Sequence, residues 1–533
     1  MDLLIRNALL FDGSGGEPRS CDVGVSMGRI AAVESKIEVA ADEVVDLHGA
    51  ALCPGFIDVH SHSDNSYVIE PMADSKIRQG VTTEVIGNCG MSHGLLGGDM
   101  QAEYVRTMAE KWGVTVTWSN FREYFSYIEA LGMRNNAVAL IGHGDLRSMV
   151  MGNGDRPARP EDLGHMETLV SQALTDGAWG VSTGLIYVPG AFASLDELVA
   201  LARVARRYNG CYTSHIRGEG DTLEAAVAEA IAVGRGSLAL TEVSHHKASG
   251  LGNWGKVKGT LHMMEEARAE GIAVYCDQYP YVASSTGLDA TLPLWVLEGG
   301  HARTAERLKD PTVRDMVREK LKHHPYGDWT RVLIAEVRRQ QGPNRRFVGQ
   351  HVHGVAQAWD RSPEDAVMDL LIEEDGQVGA IYFSMSDDDV DMVMRSPWTV
   401  VGSDAGARSS AGPLSGGHPH PRTYGTFPRV LGHYVRERGL LSLAEAVRRM
   451  TSMPAQRFGL AERGRVRPGW WADLVAFEPD RVRDRATFVE PQQYPEGIRH
   501  VWVNGTAVVR DEAPTDALPG GVLRLGRDGG IVY

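Results

Sequence analysis

Cysteine is scarce in this chain: five residues (Cys21, Cys53, Cys89, Cys211 and Cys276) are scattered over 533 positions. That count is odd and too low for a disulfide framework, so a cysteine with a role is expected to be a ligand or a nucleophile. Long apolar runs are missing as well; none approaches the length of a membrane span. The N-terminus, Met1-Asp2-Leu3-Leu4-Ile5-Arg6-Asn7, carries an acid where a secretory signal would be basic. A soluble, cytoplasmic protein with no membrane partner is expected. Positive charge is in deficit, with 54 Lys plus Arg against 69 Asp plus Glu and a formal charge of −15. Such a balance disfavours nucleic acid and anionic membrane surfaces as partners and leaves a small-molecule enzyme as the class to test. Internal repeats, low-complexity tracts and Pro/Ser linkers are lacking too, and oligomeric state has no signature in the sequence.

What is present is alternation. Hydrophobic residues make up 43% of the chain, enough for a large core, and one α/β barrel with insertions can absorb most of such a length. Residues 1 to about 50 alternate short apolar runs with turn chemistry such as Asp12-Gly13-Ser14-Gly15-Gly16, a small β region. From Pro54 onward eight apolar runs alternate with amphipathic stretches: Phe56–Val59, Val81–Ile86, Ala137–Ile141, Trp179–Ser182, Cys211–Ser214, Leu238–Val243, Ile272–Cys276 and Thr399–Gly402. Helices are expected at Leu195–Arg207, Leu223–Val233 and Thr260–Glu270. Eight βα units imply an α/β fold, a closed (β/α)₈ TIM-type barrel over residues 54–462. The gap between Cys276 and Thr399 is far longer than a βα loop needs, so a lid is expected at about 283–377, after strand 7. Val378–Phe383 reads either as part of it or as a barrel strand. The β signature returns in Ala472–Phe477 and Val501–Gly505, so residues 1–53 and 463–533 are expected to form one small β-sandwich from both termini.

In a parallel barrel the chemistry sits at the C-terminal strand ends. There the first run delivers His60 and His62, which alternation sends to one face, and the second leads into Asn88-Cys89-Gly90. The fifth ends in His215, the sixth in His245-His246-Lys247 and the eighth in Asp404. Taken singly, each has an ordinary explanation: a core cysteine, hydrogen-bonded histidines, a helix-capping aspartate. Jointly, imidazoles, a thiolate and a carboxylate make a Zn²⁺ site rather than a Mg²⁺ or Ca²⁺ site. One of His245 and His246 is expected to be structural, as are His143 and the pair His351 and His353.

With these residues in place the chain resembles the amidohydrolase superfamily. Subfamilies with a bridged two-metal centre commonly use a carboxylated lysine after strand 4; here that region reads Trp179-Gly180-Val181-Ser182-Thr183-Gly184-Leu185, without lysine. GNCG, STGLIYVPG, SHIRGEG, HHK and DQYPY are similar instead to the D-aminoacylase branch, the N-acyl-D-amino-acid deacylases. The resemblance implies tight zinc on Cys89, His215 and His245, a weaker neighbouring position at His60, His62 and Asp404, and Asp404 as general base and acid. Tyr187, Tyr279 and Ser285 follow from it as hydrogen-bonding partners of the substrate. Lys247 and Arg217, each two residues beyond a ligand histidine, are expected to hold the substrate carboxylate. The loop Ala283–Leu297 offers apolar side chains and no cation, so hydrophobic D-residues are the expected substrates, with an acidic side chain the alternative if Arg345, Arg346 or Arg408 folds inward. Two alternatives stay open: a cyclic-amide hydrolase of the hydantoinase or dihydropyrimidinase kind, and a non-catalytic binding protein on the same scaffold.

Overall fold

The computed structural model describes residues 1–323, 328–526 and 531–532. The barrel strands are Phe56–Asp58, Val81–Ile86, Asn136–Ala139 continued by Ile141–Gly142, Gly180–Gly184, Cys211–His215, Leu240–Val243, Val274–Gln278 and Thr399–Val401. Each pairs in parallel with the next. The eighth closes on the first through a parallel bridge between Ser61 and Ala405 and through the Asp404 N–H, which donates to the His60 carbonyl at 2.8 Å. Buried Lys76 reinforces that seam, its Nζ donating to Asp58 Oδ2 (2.5 Å), Ser403 Oγ (2.6 Å) and the Ala405 carbonyl (2.7 Å). It thereby grips both chain neighbours of Asp404.

Local sequence accounts for the helices between strands. In Leu195–Arg207 the Ser194 side chain accepts from the Glu197 N–H, acids occupy the first turn and Arg206 and Arg207 the last. Leu198, Leu201, Ala202 and Ala205 of this helix are buried at helical spacing. The helix Leu223–Ser237 runs on to Leu238, whose left-handed backbone (φ 61°) ends it. The sixth strand therefore starts at Leu240 rather than Leu238.

Val378–Tyr382 is not a barrel strand. It pairs antiparallel with Ser284–Gly287 and Val332–Val337 in a three-stranded sheet with its own core, which includes Leu288, Leu308, Ile334 and Leu371. The seventh barrel strand pairs directly with Thr399–Val401, so the inserted segment extends beyond residue 377 to include this strand. Strands from both termini share one nine-stranded sheet, joined where Ala51–Pro54 pairs antiparallel with Leu474–Phe477. Its two-residue period divides the burial: Leu474 and Ala476 pack with Leu3, Ile5 and Val23, while Val475 and Phe477 pack with Phe56 and Phe427 beside the barrel. Among the described residues no helix is long and apolar enough to cross a membrane.

Candidate metal centre

Six side chains from five strand ends meet at the barrel mouth. Ligating atoms of His60, His62, Cys89 and Asp404 lie within 4.8 Å of one another, and so do those of Cys89, His215 and His245. Cys89 belongs to both groups; its Sγ is 3.2 Å from His60 Nε2 and 3.6 Å from His245 Nε2. His62 Nε2 lies 3.0 Å from Asp404 Oδ1. Cys89, His245 and Asp404 all have left-handed backbone, with φ of 54°, 37° and 52°. Such conformations are sparsely populated by non-glycine residues and persist where the surroundings over-determine them.

The surroundings here are polar and specific. Asp277 places Oδ2 3.2 Å from His60 Nδ1 and accepts the His245 N–H on Oδ1 at 2.9 Å. Glu219 Oε1 lies 3.0 Å from His245 Nδ1 and 2.5 Å from Lys247 Nζ. Holding the Nδ1 side of an imidazole orients its Nε2, the common arrangement behind a ligating histidine. Burial alone would raise the Cys89 thiol, but His60, His215 and His245 reverse this and hold it well below the usual thiol range. Burial would likewise raise Asp404; the Arg422 charge, with His245 and His62, carries it well below the usual carboxylate range instead.

The donors fit a metal. Neither ring nitrogen of buried His215 has a hydrogen-bond partner, an expensive arrangement unless the ring ligates. Nitrogen and sulfur donors suit zinc. His246 is the structural member of its pair, with Nε2 2.8 Å from Thr260 Oγ1. His143 Nε2 is occupied by Glu197 at 2.8 Å.

A cavity of about 670 Å³ opens over the centre. Tyr187, Lys247 and Ser285 line it, together with Arg422. Lys247 lines the cavity with its Nζ bound to Glu219 and 2.8 Å from His245 Nδ1. Arg217 is drawn away from the cavity: its guanidinium binds Glu229 and donates to the Ala191 and Ala193 carbonyls. Tyr279 is fully buried beneath Arg422, which lies 4.6 Å over its ring. Tyr187 has its hydroxyl 2.8 Å from Thr286 Oγ1 and its ring 5.1 Å from that of His215. Ser285 donates to the Ala380 carbonyl and accepts Arg422 Nη2 on its own carbonyl at 3.1 Å. Of the loop Ala283–Leu297, residues Ser284–Gly287 and Ala290 reach the cavity, whereas Leu288, Leu292, Val296 and Leu297 fill the core of the insertion. Arg422, Glu219 and Asp277 are site residues that strand-end reasoning overlooked. Arg422 lies well past the eighth strand in His418-Pro419-His420-Pro421-Arg422, where no periodicity points inward.

The model of the amidohydrolase family matches residues 43–509. This chain belongs to that family. Over 533 residues it is 38% identical to the N-acyl-D-glutamate deacylase of Alcaligenes xylosoxydans xylosoxydans, covering 100% of this chain and 98% of the relative. Among solved structures, the N-acyl-D-glutamate deacylase of Bordetella bronchiseptica, complexed with zinc and a phosphonate mimic of the tetrahedral intermediate, superposes with a TM-score of 0.83 at 37% identity. The match covers 98% of this chain and 99% of that one. A D-aminoacylase with a binuclear metal centre superposes with a TM-score of 0.82 at 35% identity, again over 98% and 99%. The chain thus falls in the D-aminoacylase branch. The end of the fourth strand agrees: a side chain at Gly184 would collide with the Cys89 carbonyl oxygen, so the cysteine backbone fills space beside that strand.

Proposed function

We propose that this enzyme hydrolyses N-acyl-D-amino acids to a D-amino acid and a carboxylate, using zinc held by Cys89, His215 and His245, with His60, His62 and Asp404 as a weaker second position. The two donor groups that share the Cys89 sulfur carry this reading. Bound there, zinc would supply Lewis acidity towards water and towards the amide carbonyl. Asp404 takes the proton from the attacking water and returns it to the departing amine, which is too basic to leave unprotonated. Arg422 recognises the α-carboxylate: a guanidinium has five N–H donors, and its contacts with Asp404 Oδ2 (2.8 Å) and the Ser285 carbonyl leave donors to spare. Arg217 has no part in this reading, since Glu229 holds it outside the cavity.

The lining favours a hydrophobic D-side chain. It holds two cations, Arg422 and Lys247, against Asp64, Glu219, Asp221 and Asp404, with Met91, Ile186, Ala290 and Tyr382 as its less polar part. Arg345 is bound to Gln340, Arg346 lies over the Phe347 ring, and Arg408, which does not line this cavity, is held by Glu336 and the Gly416 carbonyl, so none of the three brings a further cation. A second carboxylate on the substrate would be buried beside acids. The test uses zinc-loaded protein with N-acetyl-D-Leu, N-acetyl-L-Leu, N-acetyl-D-Glu and hydantoin. Efficient turnover of the D-Leu compound alone is expected. Equal turnover of D-Glu would refute the side-chain preference, and opening of hydantoin would favour the cyclic-amide alternative.

A further inference from the structure

We propose that a second cavity beside the catalytic one receives the acyl half of the substrate, and that it selects acyl chains ending in a carboxylate, such as succinyl or glutaryl. This rests on the deacylase reading above. The second cavity, about 600 Å³, shares His62 and Asn65 with the first. His62 belongs to the donor cluster, so a group that leaves the amide carbonyl carbon past this ring passes from one cavity into the other. The amino-acid half has its own cation, Arg422 against Ser285.

Two kinds of side chain wall the second cavity. Ile69, Tyr104, Met108 and Trp112 give it an apolar surface. Tyr104 is fixed there by stacking on His93, with ring centroids 4.7 Å apart, and by donating to Asn65 Oδ1 at 2.8 Å. The other kind is cationic: Lys111, Arg338, Arg339 and Arg408. They share their acidic partners two to one. Lys111 and Arg408 lie 3.7 and 3.3 Å from Glu336, and Arg338 and Arg339 lie 3.0 and 3.2 Å from Asp375. Among the described residues Glu110 is the one acid in the lining itself. A wall of this sign in a chain of net charge −15 is a local reversal of field, which suits an anion. Methylenes against the apolar wall and a terminal carboxylate at the cations describe a dicarboxylic half-amide.

The experiment keeps D-Leu constant and varies the acyl group through acetyl, butyryl, succinyl and glutaryl, with the wild type and with the double variant Lys111→Gln/Arg338→Gln. For the wild type, kcat/KM is expected to rise at least about tenfold from acetyl to the better dicarboxylic acyl group, with butyryl between. In the double variant the dicarboxylic advantage should vanish while the acetyl compound stays within about twofold. Glutarate should also inhibit the wild type more tightly than pentanoate does, which decides the question even if the double variant fails to fold. A flat acyl series, butyryl equal to glutaryl, or a double variant that alters the D-Leu to D-Glu ratio instead of acyl preference would each overturn the subsite. If no N-acyl-D-Leu is hydrolysed, the deacylase reading falls and the subsite with it; a flat series with good acetyl turnover removes the subsite alone.

Discussion

Replacing Arg422 by methionine removes the cation proposed to meet the substrate carboxylate. The side chain is 5% exposed, 2.8 Å from Asp404 Oδ2 and stacked over Tyr279, so water cannot readily substitute for it. Hydrogen bonds to charged groups contribute about 1.5–3 kcal/mol, and about 1.4 kcal/mol is a factor of ten. KM for N-acetyl-D-Leu should therefore rise about 10- to 150-fold. A second effect has a definite sign. Burial opposes ionisation of Asp404, and Arg422 is the foremost charge holding its carboxyl low. Without Arg422 the carboxyl titrates at higher pH, and because the protonated acid cannot accept a proton, the acid limb of kcat should move upward in pH. Arg422→Lys, which keeps the charge but loses the fork and the stack, should fall between. The assay is a full pH profile of kcat and KM for the three proteins. A methionine variant with KM within about threefold of wild type and an unmoved acid limb would refute the assignment of Arg422 to the carboxylate.

Three further outcomes are expected. Cys89→Ala and His215→Asn should each lose the tightly held zinc, because a three-ligand site deprived of one strong donor retains too few; metal analysis after dialysis checks this, and one firmly held zinc in Cys89→Ala would exclude the cysteine. Asp404→Asn should keep that zinc while kcat falls about 10²–10⁴-fold, and near-normal turnover would place the proton on another group. Lys76→Met leaves Asp58 and Glu84 buried without the cation that lies 2.5 and 3.5 Å from them. Breaking a buried pair costs about 3–5 kcal/mol, so thermal unfolding should come several degrees earlier, and an unchanged midpoint would contradict the role of Lys76 at the barrel seam.

The strand-end residues were legible because a parallel barrel converts sequence position into spatial position: whatever follows each apolar run stands at one rim. His60, His62, Cys89, His215, His245 and Asp404 can be read in this way, and the fold brings them together. The rule weakens two residues further on. Arg217 stands as close in sequence to His215 as Lys247 does to His245, yet the chain has turned outward and Glu229 on the following helix captures it. Arg422, Glu219 and Asp277 were not legible, since their roles depend on loop paths and on which carboxylate meets which imidazole. The place of Val378–Phe383 stayed open for a related reason. Val378–Tyr382 has the composition of a buried strand, and only its antiparallel partners show which sheet it belongs to.

The most direct test of a zinc centre built on Cys89, His215 and His245 is a titration of metal-stripped protein with zinc, recording hydrolysis of N-acetyl-D-Leu against zinc bound per chain. Turnover is expected to climb in proportion to the first equivalent and to gain nothing from a second at the His60, His62 and Asp404 position. Activity that stays low through the first equivalent and appears only as the second binds would contradict that assignment.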